Sequence, residues 1–337
     1  MSASPLWEQY PPPPDLPPVV VREPALPLVS VVTPSFNQGR FIAATIESVL
    51  AQDYPNLEYW VIDGGSTDET LAILRGYAGD PRLHWLSEPD RGQSDAINKG
   101  WARCRGEVLA WLNSDDTYLP GAIASQVAAL RAAPGAGGVY GGVVFTDERG
   151  RRLYEIRARP FSPALVLGLK ASPQPGVFLR REVVARAGPL DLRRRYAMDL
   201  DLWARAVALA PWVPNPALVA TYRLHAASKT VAEGPGFYAE WLAAARSYYD
   251  TPGRSADELA TRPGVMADIY AAMANLEARE GRLADAARYA AYALTLAGPR
   301  PRLLKLPAAL LERVWPVGLD RRATALWGRL ERLGRRP

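Results

Sequence analysis

The 337-residue chain has an ordinary globular composition, with 48% hydrophobic and 22% charged residues and a formal net charge of +5. This balance excludes a wholly disordered chain. There is no apolar run of the ~18 residues that a membrane-spanning helix needs, and no secretory leader is evident. One cysteine, Cys104, and two histidines are too few for an internal disulfide or a Cys/His zinc cage. We therefore expect a soluble, cytoplasmic protein whose metal site, if it has one, is built mainly from carboxylates.

The first 27 residues form a Pro-rich leader. They contain nine prolines, which favour extended polyproline conformations and exclude a central strand. We expect this leader to lie on the surface of the body, although a partner-binding motif is an alternative.

From residue 28 the pattern alternates between strands and helices. Strands are predicted at 29–33, 57–62, 83–86 and 108–112, and helices at 41–50, 68–77 and 94–103. Thr67 is the predicted N-cap of the second helix, with Asp68 and Glu69 in its first turn. Such alternation predicts an α/β fold with a mostly parallel sheet flanked by helices. In such sheets chemistry occurs beyond the carboxyl ends of the strands, and each of these ends is polar.

The chain after residue 231 is rich in alanine and predicts helices. Residues 268–280 and 283–296, separated by Gly281, resemble one tetratricopeptide hairpin. Residues 299–337 carry ten basic and three acidic residues, a net charge of +7 against the total of +5. The remaining residues therefore have a net charge of −2, and the body is not a polyanion-binding surface. The helices predicted at 307–316 and 320–333 are amphipathic. This basic tail either meets an anionic membrane surface or packs on the main domain.

The sequence lacks both common glycine-rich phosphate motifs, the G-x-G-x-x-G fingerprint and the P-loop. Asp63, at the end of a strand, is suited to accept hydrogen bonds from a base or ribose. Asp115 and Asp116 follow an apolar strand, and two adjacent carboxylates repel each other unless a cation or donors neutralise them. A hard divalent ion shared with a ligand's diphosphate oxygens would do so.

Five segments in order over residues 28–230 resemble family-2 glycosyltransferases, the inverting, nucleotide-sugar-dependent enzymes of the GT-A fold. The segments are VSVVTPSFNQGRFIAATIESVLAQDYPNLEYWVIDGGSTDET, DRGQSDAINKGWARCRGEVLAWLNSDDTY, QPGVFLRR, YAMDLDLWARA and TYRLHAASKT. The resemblance implies a catalytic domain over 28–231, preceded by the leader 1–27 and followed by a helical extension over 232–337.

The resemblance also implies roles for individual residues. The donor would be a nucleotide sugar, with uridine diphosphate as the first expectation, and it would meet Thr33, Pro34, Ser35, Asn37, Asp63, Gly64, Ser66, Asp95, Lys99, Ser114 and Asp115. The D-x-D-like element would be Ser114-Asp115-Asp116, in which Asp116 holds a divalent metal, Mn²⁺ or Mg²⁺, and Asp115 contacts the ribose or the metal. His225 would reach the metal or the diphosphate. Asp199 would be the general base. The acceptor side would include Gln174, Pro175, Asp201 and Trp203.

The expected acceptor is a glycan or a lipid-linked glycan, as in polysaccharide biosynthesis, with no nucleic-acid partner and with peripheral membrane contact through 299–337. Several residues have simpler interpretations. Asp199 is also a candidate helix N-cap, and Met198 stands where the family often has an acidic residue. Asp95 and Lys99 are also spaced for a surface i,i+4 ion pair, and His225 is also a candidate structural histidine. Two other functions remain open: a nucleotidyltransferase, or a catalytically silent family member that serves as a scaffold.

Overall fold

The computed structural model describes residues 6–168, 173–226 and 235–297. The chain divides into two compact units, Met1–Gly253 and Arg254–Pro337. The first unit contains a nine-stranded sheet, and the described part of the second contains two helices. Within the described ranges, no helix is long and apolar enough to cross a bilayer.

The strands of the sheet are numbered in chain order. They are β1 (Val29–Ser35), β2 (Leu57–Asp63), β3 (Leu83–Ser87), β4 (Val108–Trp111), β5 (Thr117–Tyr118), β6 (Gly138–Thr146), β7 (Arg152–Ile156), β8 (Val177–Arg180) and β9 (Trp212–Arg223).

The helices are numbered in the same way. Those of the first unit are α1 (Leu6–Gln9), α2 (Ile42–Leu50), α3 (Thr70–Gly76), α4 (Gln93–Arg103), α5 (Ala122–Ala132), α6 (Pro163–Leu167), α7 (Arg181–Ala187), α8 (Met198–Val207) and α9 (Pro235–Asp250). A single 3₁₀ turn covers Gln174–Gly176. The second unit has α10 (Ala256–Arg279) and α11 (Leu283–Ala297).

The strand order across the sheet is β3-β2-β1-β4-β8-β6-β9-β5, with β7 paired to β6. The four strands predicted from the sequence are β1 to β4, and all three pairings among them are parallel. Strands β2 and β3 lie on one side of β1, and β4 lies on its other side. This change of side is a topological switch point, and a crevice opens beyond the strand ends between β1 and β4. The antiparallel pairings of β5, β7 and β8 were not anticipated.

The core explains why the first strands are nearly continuous apolar runs. All seven residues of β1 and all seven of β2 are buried, as expected for a sheet covered on both faces. Helix α2 contributes Ile42, Ile46 and Val49 to the core, a spacing that places them on one side of a helix.

Helix α4 packs unusually close to β1 because Gly100 faces the sheet. A Cβ atom added at Gly100 would lie 2.4 Å from Cγ1 of Val32. This close contact fixes the position of the helix whose N-terminal end borders the crevice.

Two predicted helix starts were wrong. Helix α3 begins at Thr70 rather than at Asp68; the Thr67 amide donates to Asn37, and the Asp68 carboxylate accepts the Thr70 amide. The first hairpin helix, α10, begins at Ala256, twelve residues before the predicted start, behind a capping box of Ser255 and Glu258.

The predicted hairpin itself is present in the second unit. It turns at Gly281, which has a φ of +75°, and its small core contains Ala274 and Ala290. The predicted helices of the basic tail lie outside the described residues, as does the predicted domain boundary at residue 231.

Candidate active site

The polar residues predicted from the strand ends gather at one edge of the parallel half of the sheet. In the β1–β2 pairing Ser35 lies opposite Asp63, and the Gly64 amide donates to the Ser35 carbonyl over 2.8 Å. Thr33 and Pro34 are buried within β1, and the Thr33 hydroxyl lies 2.9 Å from the Tyr59 hydroxyl. The side chains of Thr33 and Pro34 therefore lie in the protein interior next to this edge of the sheet.

The Asp63 carboxylate organises the loop that follows β2. It accepts hydrogen bonds from the Gly65 amide (3.0 Å), the Ser66 amide (2.9 Å) and the Ser87 hydroxyl (2.7 Å), and also from the Ser66 hydroxyl. The carboxylate is buried and has donors on both oxygens. It therefore sets the shape of this loop, whatever further contact it makes with a base or ribose.

The loops after β1 and β2 are joined through Asn37. Its φ of +53° makes it the one non-glycine residue with positive φ in the described chain. Its amide donates to the Ser66 hydroxyl over 2.7 Å, and its side-chain oxygen accepts the Thr67 amide over 2.9 Å. In the part of the chain that the structure describes, the buried Ser35 hydroxyl beside this loop has no hydrogen-bond partner. It is suited to bind a polar ligand.

The carboxylate of Asp116 is enclosed by protein. It is 1% exposed, Oδ1 accepts the Arg223 amide over 2.9 Å and Oδ2 accepts the Asn113 amide group over 3.3 Å. Burial, and next the charge of Asp115, raise the pKa of Asp116 well above its usual range, although the Arg223 hydrogen bond lowers it. The Thr45 hydroxyl holds the backbone of this motif by donating to the carbonyls of Ser114 and Asp116.

The neighbouring Asp115 carboxylate is more open and lies beside His225. Its Oδ2 is 2.9 Å from His225 Nε2, and the two side chains are 20% and 6% exposed, respectively. The imidazole ring also packs against Phe41, with centroids 4.9 Å apart. At this separation the two atoms are in hydrogen-bond contact, and a carboxylate oxygen and an imidazole nitrogen so close together would serve as adjacent ligands of one divalent cation. Among the described residues there is no group of three or more Asp, Glu, His or Cys residues that could hold a metal, so further ligands would be diphosphate oxygens or water.

Three polar residues of this cluster were missed by the sequence analysis. Arg223 donates from its side chain to the Asp115 carbonyl over 2.9 Å, in addition to its amide contact with Asp116. Asn113 accepts from Gln93 over 2.7 Å and donates to Gln174 over 3.2 Å. For Asn113 and Arg223 the local signal was their closeness in sequence to the acidic motif and to His225, respectively, whereas Gln93, at the start of α4, carried no such signal.

The residues predicted on the acceptor side are largely enclosed. Gln174 donates to the Trp111 carbonyl over 2.8 Å, Pro175 is buried in the 3₁₀ turn and Trp203 is 3% exposed. The Asp201 carboxylate pairs with Arg205 at 2.9 Å and with Arg194 at 3.5 Å. These side chains build the wall of the site, and contact with an acceptor is not evident for them.

Asp199 lies in the first turn of α8 and is only partly buried. Its Oδ1 accepts the amide of the next residue, Leu200, over 2.8 Å. The loop before it is held by Glu240 of α9, whose carboxylate accepts the amides of Arg195, Tyr196 and Ala197 over 2.8–2.9 Å. Asp199 is thus on a well-supported helix end and is more exposed than Asp201.

Asp95 and Lys99 form the predicted i,i+4 pair, at 3.6 Å. The pair is not on the surface, because the Asp95 side chain is 2% exposed. Lys99 also pairs with Glu88 at 2.8 Å.

Comparison with known proteins identifies the family. The sequence profile described as "Glycosyl transferase family 2" matches residues 30–184. An uncharacterized glycosyltransferase of Mycobacterium tuberculosis (strain CDC 1551 / Oshkosh) is 37% identical over 185 residues, 53% of this chain and 69% of that protein. One of Rickettsia prowazekii (strain Madrid E) is 28% identical over 218 residues, 60% of this chain and 66% of that protein. The chain thus spans about two thirds of the length of these relatives, and it belongs to glycosyl transferase family 2.

Solved structures show the same fold at low sequence identity. TarS 1-349 of S. aureus in complex with UDP-GlcNAc has a TM-score of 0.60 at 15% identity, covering 83% of each chain. The mannosyltransferase PcManGT of Pyrobaculum calidifontis, in complex with GDP-Man and Mn²⁺, has a TM-score of 0.55 at 20% identity, covering 96% of this chain and 89% of that one. The predicted GT-A architecture is therefore confirmed.

Proposed function

We propose that this chain transfers a sugar from a nucleotide-diphosphate donor, with a UDP sugar as the first candidate, to an acceptor hydroxyl with inversion of the anomeric centre. The observation that carries the proposal is the convergence of Asp115 and His225 beside the crevice at the ends of β1, β2 and β4. Support also comes from the family and from the UDP-GlcNAc and GDP-Man complexes of the two structural neighbours. The acceptor we propose is a glycan or a lipid-linked glycan.

We assign the metal to Asp115 and His225 rather than to Asp116 and His225. Both oxygens of Asp116 already accept hydrogen bonds from the protein, so its part is to fix the end of β4 and the start of the His225 segment. Asp115 and His225 would hold Mn²⁺ or Mg²⁺, which would supply positive charge to offset the negative charge of the departing diphosphate.

The proposed general base is Asp199. Asp201 is two residues away, but its carboxylate is committed to Arg205 and Arg194. Asp199 takes the proton of the acceptor hydroxyl as that oxygen bonds to the anomeric carbon. The bond between this carbon and the phosphate oxygen breaks on the opposite face, and the nucleoside diphosphate leaves with the electron pair. One such displacement inverts the anomeric centre and requires no covalent glycosyl-enzyme.

The experiment measures binding of UDP and GDP with Mn²⁺ by calorimetry, and then the release of nucleoside diphosphate from a panel of nucleotide sugars. Asp115→Asn should weaken metal-dependent nucleotide binding by more than the ~10–100-fold that loss of an outer-shell partner costs. Asp116→Asn should affect binding less, since the amide oxygen can still accept the Arg223 amide. The reverse ranking would refute our metal assignment. Binding without turnover of any donor would favour the silent scaffold, and no nucleotide binding would refute the proposed function.

A further inference from the structure

The described part of the Pro-rich leader, from Leu6 onward, contacts the rest of the first unit at several points. Leu6 is buried, and the Arg181 guanidinium lies 4.3 Å above the ring of Trp7. Farther along, the Asn56 side chain accepts the amides of Arg22 and Glu23 over 2.8 and 3.0 Å. The family profile begins at residue 30, so the leader lies outside the segment that the profile matches.

One leader residue, Tyr10, contacts the helix that borders the crevice. Its hydroxyl donates to Asp95 Oδ1 over 2.8 Å, and the same oxygen accepts Arg91 Nη2 over 2.9 Å. Arg91 Nη2 also lies 3.2 Å from the Tyr10 hydroxyl, and the Arg91 amide donates to Asp95 Oδ2 over 3.1 Å. Tyr10, Asp95 and Arg91 therefore form a closed triangle of hydrogen bonds.

This triangle is a charged network around a largely buried carboxylate. Burial alone would raise the pKa of Asp95, but hydrogen bonds from Arg91 and Tyr10 outweigh it and lower the pKa. Burial, first among several causes, raises the pKa of Tyr10, so its hydroxyl keeps the proton that it donates. Arg91 is the exposed member, with 68% of its side chain accessible.

The segment that contains Arg91, residues 90–93, runs from the loop after β2 to the acidic motif after β4. At one end Asp90 packs on the loop after β2: a Cβ atom added at Gly64 would lie 2.7 Å from Asp90 Oδ2. At the other end Gln93 donates to Asn113, next to the acidic motif, over 2.7 Å. Arg91 thus belongs to a segment whose neighbouring residues reach the Asp63 loop on one side and the acidic motif on the other.

We propose that Tyr10 is a positioning residue of the donor site, which through Asp95 holds Arg91 in place for the diphosphate of a nucleotide. This inference rests on the proposed function. It makes the leader a working part of the donor site and gives Asp95 an indirect role, since its carboxylate is occupied by protein donors.

The test uses the full chain and titrates it with UDP and with GDP in the presence of Mn²⁺. Tyr10→Phe removes only the hydroxyl and should weaken nucleotide binding about tenfold, the scale of one hydrogen bond to a charged group. Tyr54→Phe is the matched control: its hydroxyl donates to the leader at the Pro27 carbonyl over 2.6 Å and is not part of the triangle. This control should bind nucleotide as the unchanged chain does.

A double-mutant cycle separates positioning from general loosening of the fold. If Tyr10 acts through Arg91, Tyr10→Phe should have little further effect in an Arg91→Ala background. Full additivity, or equal affinity of Tyr10→Phe and the unchanged chain, would overturn the inference while leaving the proposed function intact. Failure of the unchanged chain to bind either nucleotide would refute both.

Discussion

The two aspartates at the start of α8 give the sharpest test of the proposed chemistry. We predict that Asp199→Asn abolishes turnover and leaves stability nearly unchanged. Asp201→Asn should instead keep turnover and lower stability. The two substitutions are chemically identical and two residues apart on the same helix, so each is the control for the other.

The magnitudes follow from what each carboxylate contacts. Asn at 199 keeps an oxygen that can accept the Leu200 amide, so this contact at the helix end is retained and the free energy of unfolding should change less than in Asp201→Asn. An amide cannot take up the acceptor proton, and loss of a general base costs ~10²-fold or more in kcat.

Asn at 201 removes the negative charge from between Arg205 and Arg194. Hydrogen bonds to charged groups contribute ~1.5–3 kcal/mol each, but the Arg205 side chain is 24% exposed, and solvent screening reduces its share. We expect a net loss of ~1–3 kcal/mol of stability, which lowers Tm by ~2–4 °C for each kcal/mol in a domain of this size.

The assay combines release of nucleoside diphosphate from the donor, nucleotide affinity by calorimetry and thermal unfolding, all on the same preparations. Donor affinity should be similar in both variants. Persistent turnover in Asp199→Asn, together with an inactive but stable Asp201→Asn, would move the base by two residues and refute the reasoning.

Three further predictions concern stability and reactivity. Gly100→Ala should cost ~1–3 kcal/mol of stability by overpacking against Val32. Gly76→Ala, where an added Cβ meets nothing within 4 Å, should be neutral or stabilising by up to ~1 kcal/mol. Equal denaturant midpoints for the two variants would contradict this prediction. Burial raises the pKa of the Cys104 thiol well above its usual range. Labelling by iodoacetamide at pH 8 should therefore be slow in the native protein and fast in denaturant. Fast labelling of the native protein would argue against a buried thiol. Ser255→Ala should remove the capping box of α10 and cost ~1 kcal/mol, read as reduced amide-exchange protection in the first turns of that helix.

Local pattern was sufficient for the parallel half of the sheet. The runs around residues 29–33, 57–62, 83–86 and 108–112 are strands β1 to β4. Strands β1, β2 and β4 are buried along their whole length and are therefore mostly apolar. Since parallel strands share one carboxyl end, the meeting of Ser35, Asp63 and Asp115 at one edge also followed from the sequence. The predicted starts of two helices were wrong because the caps lie elsewhere. The Thr67 amide donates to Asn37 instead of starting a helix, and the capping box of α10 is at Ser255.

Tertiary structure distinguishes the two carboxylates of the Asp115–Asp116 pair, which are equivalent to any local pattern. For Asp201 the partners are nearer in the chain, since Arg194 and Arg205 lie within seven residues of it. Asp116 is enclosed because the Arg223 amide reaches it from 107 positions along the chain, and Asp115 faces His225 from 110 positions away. The composition of each segment determines which residues can carry charge at the crevice. Which carboxylate of the Asp115–Asp116 pair is enclosed depends on donors that are more than 100 positions away in the sequence, and only the folded chain brings them to the end of β4.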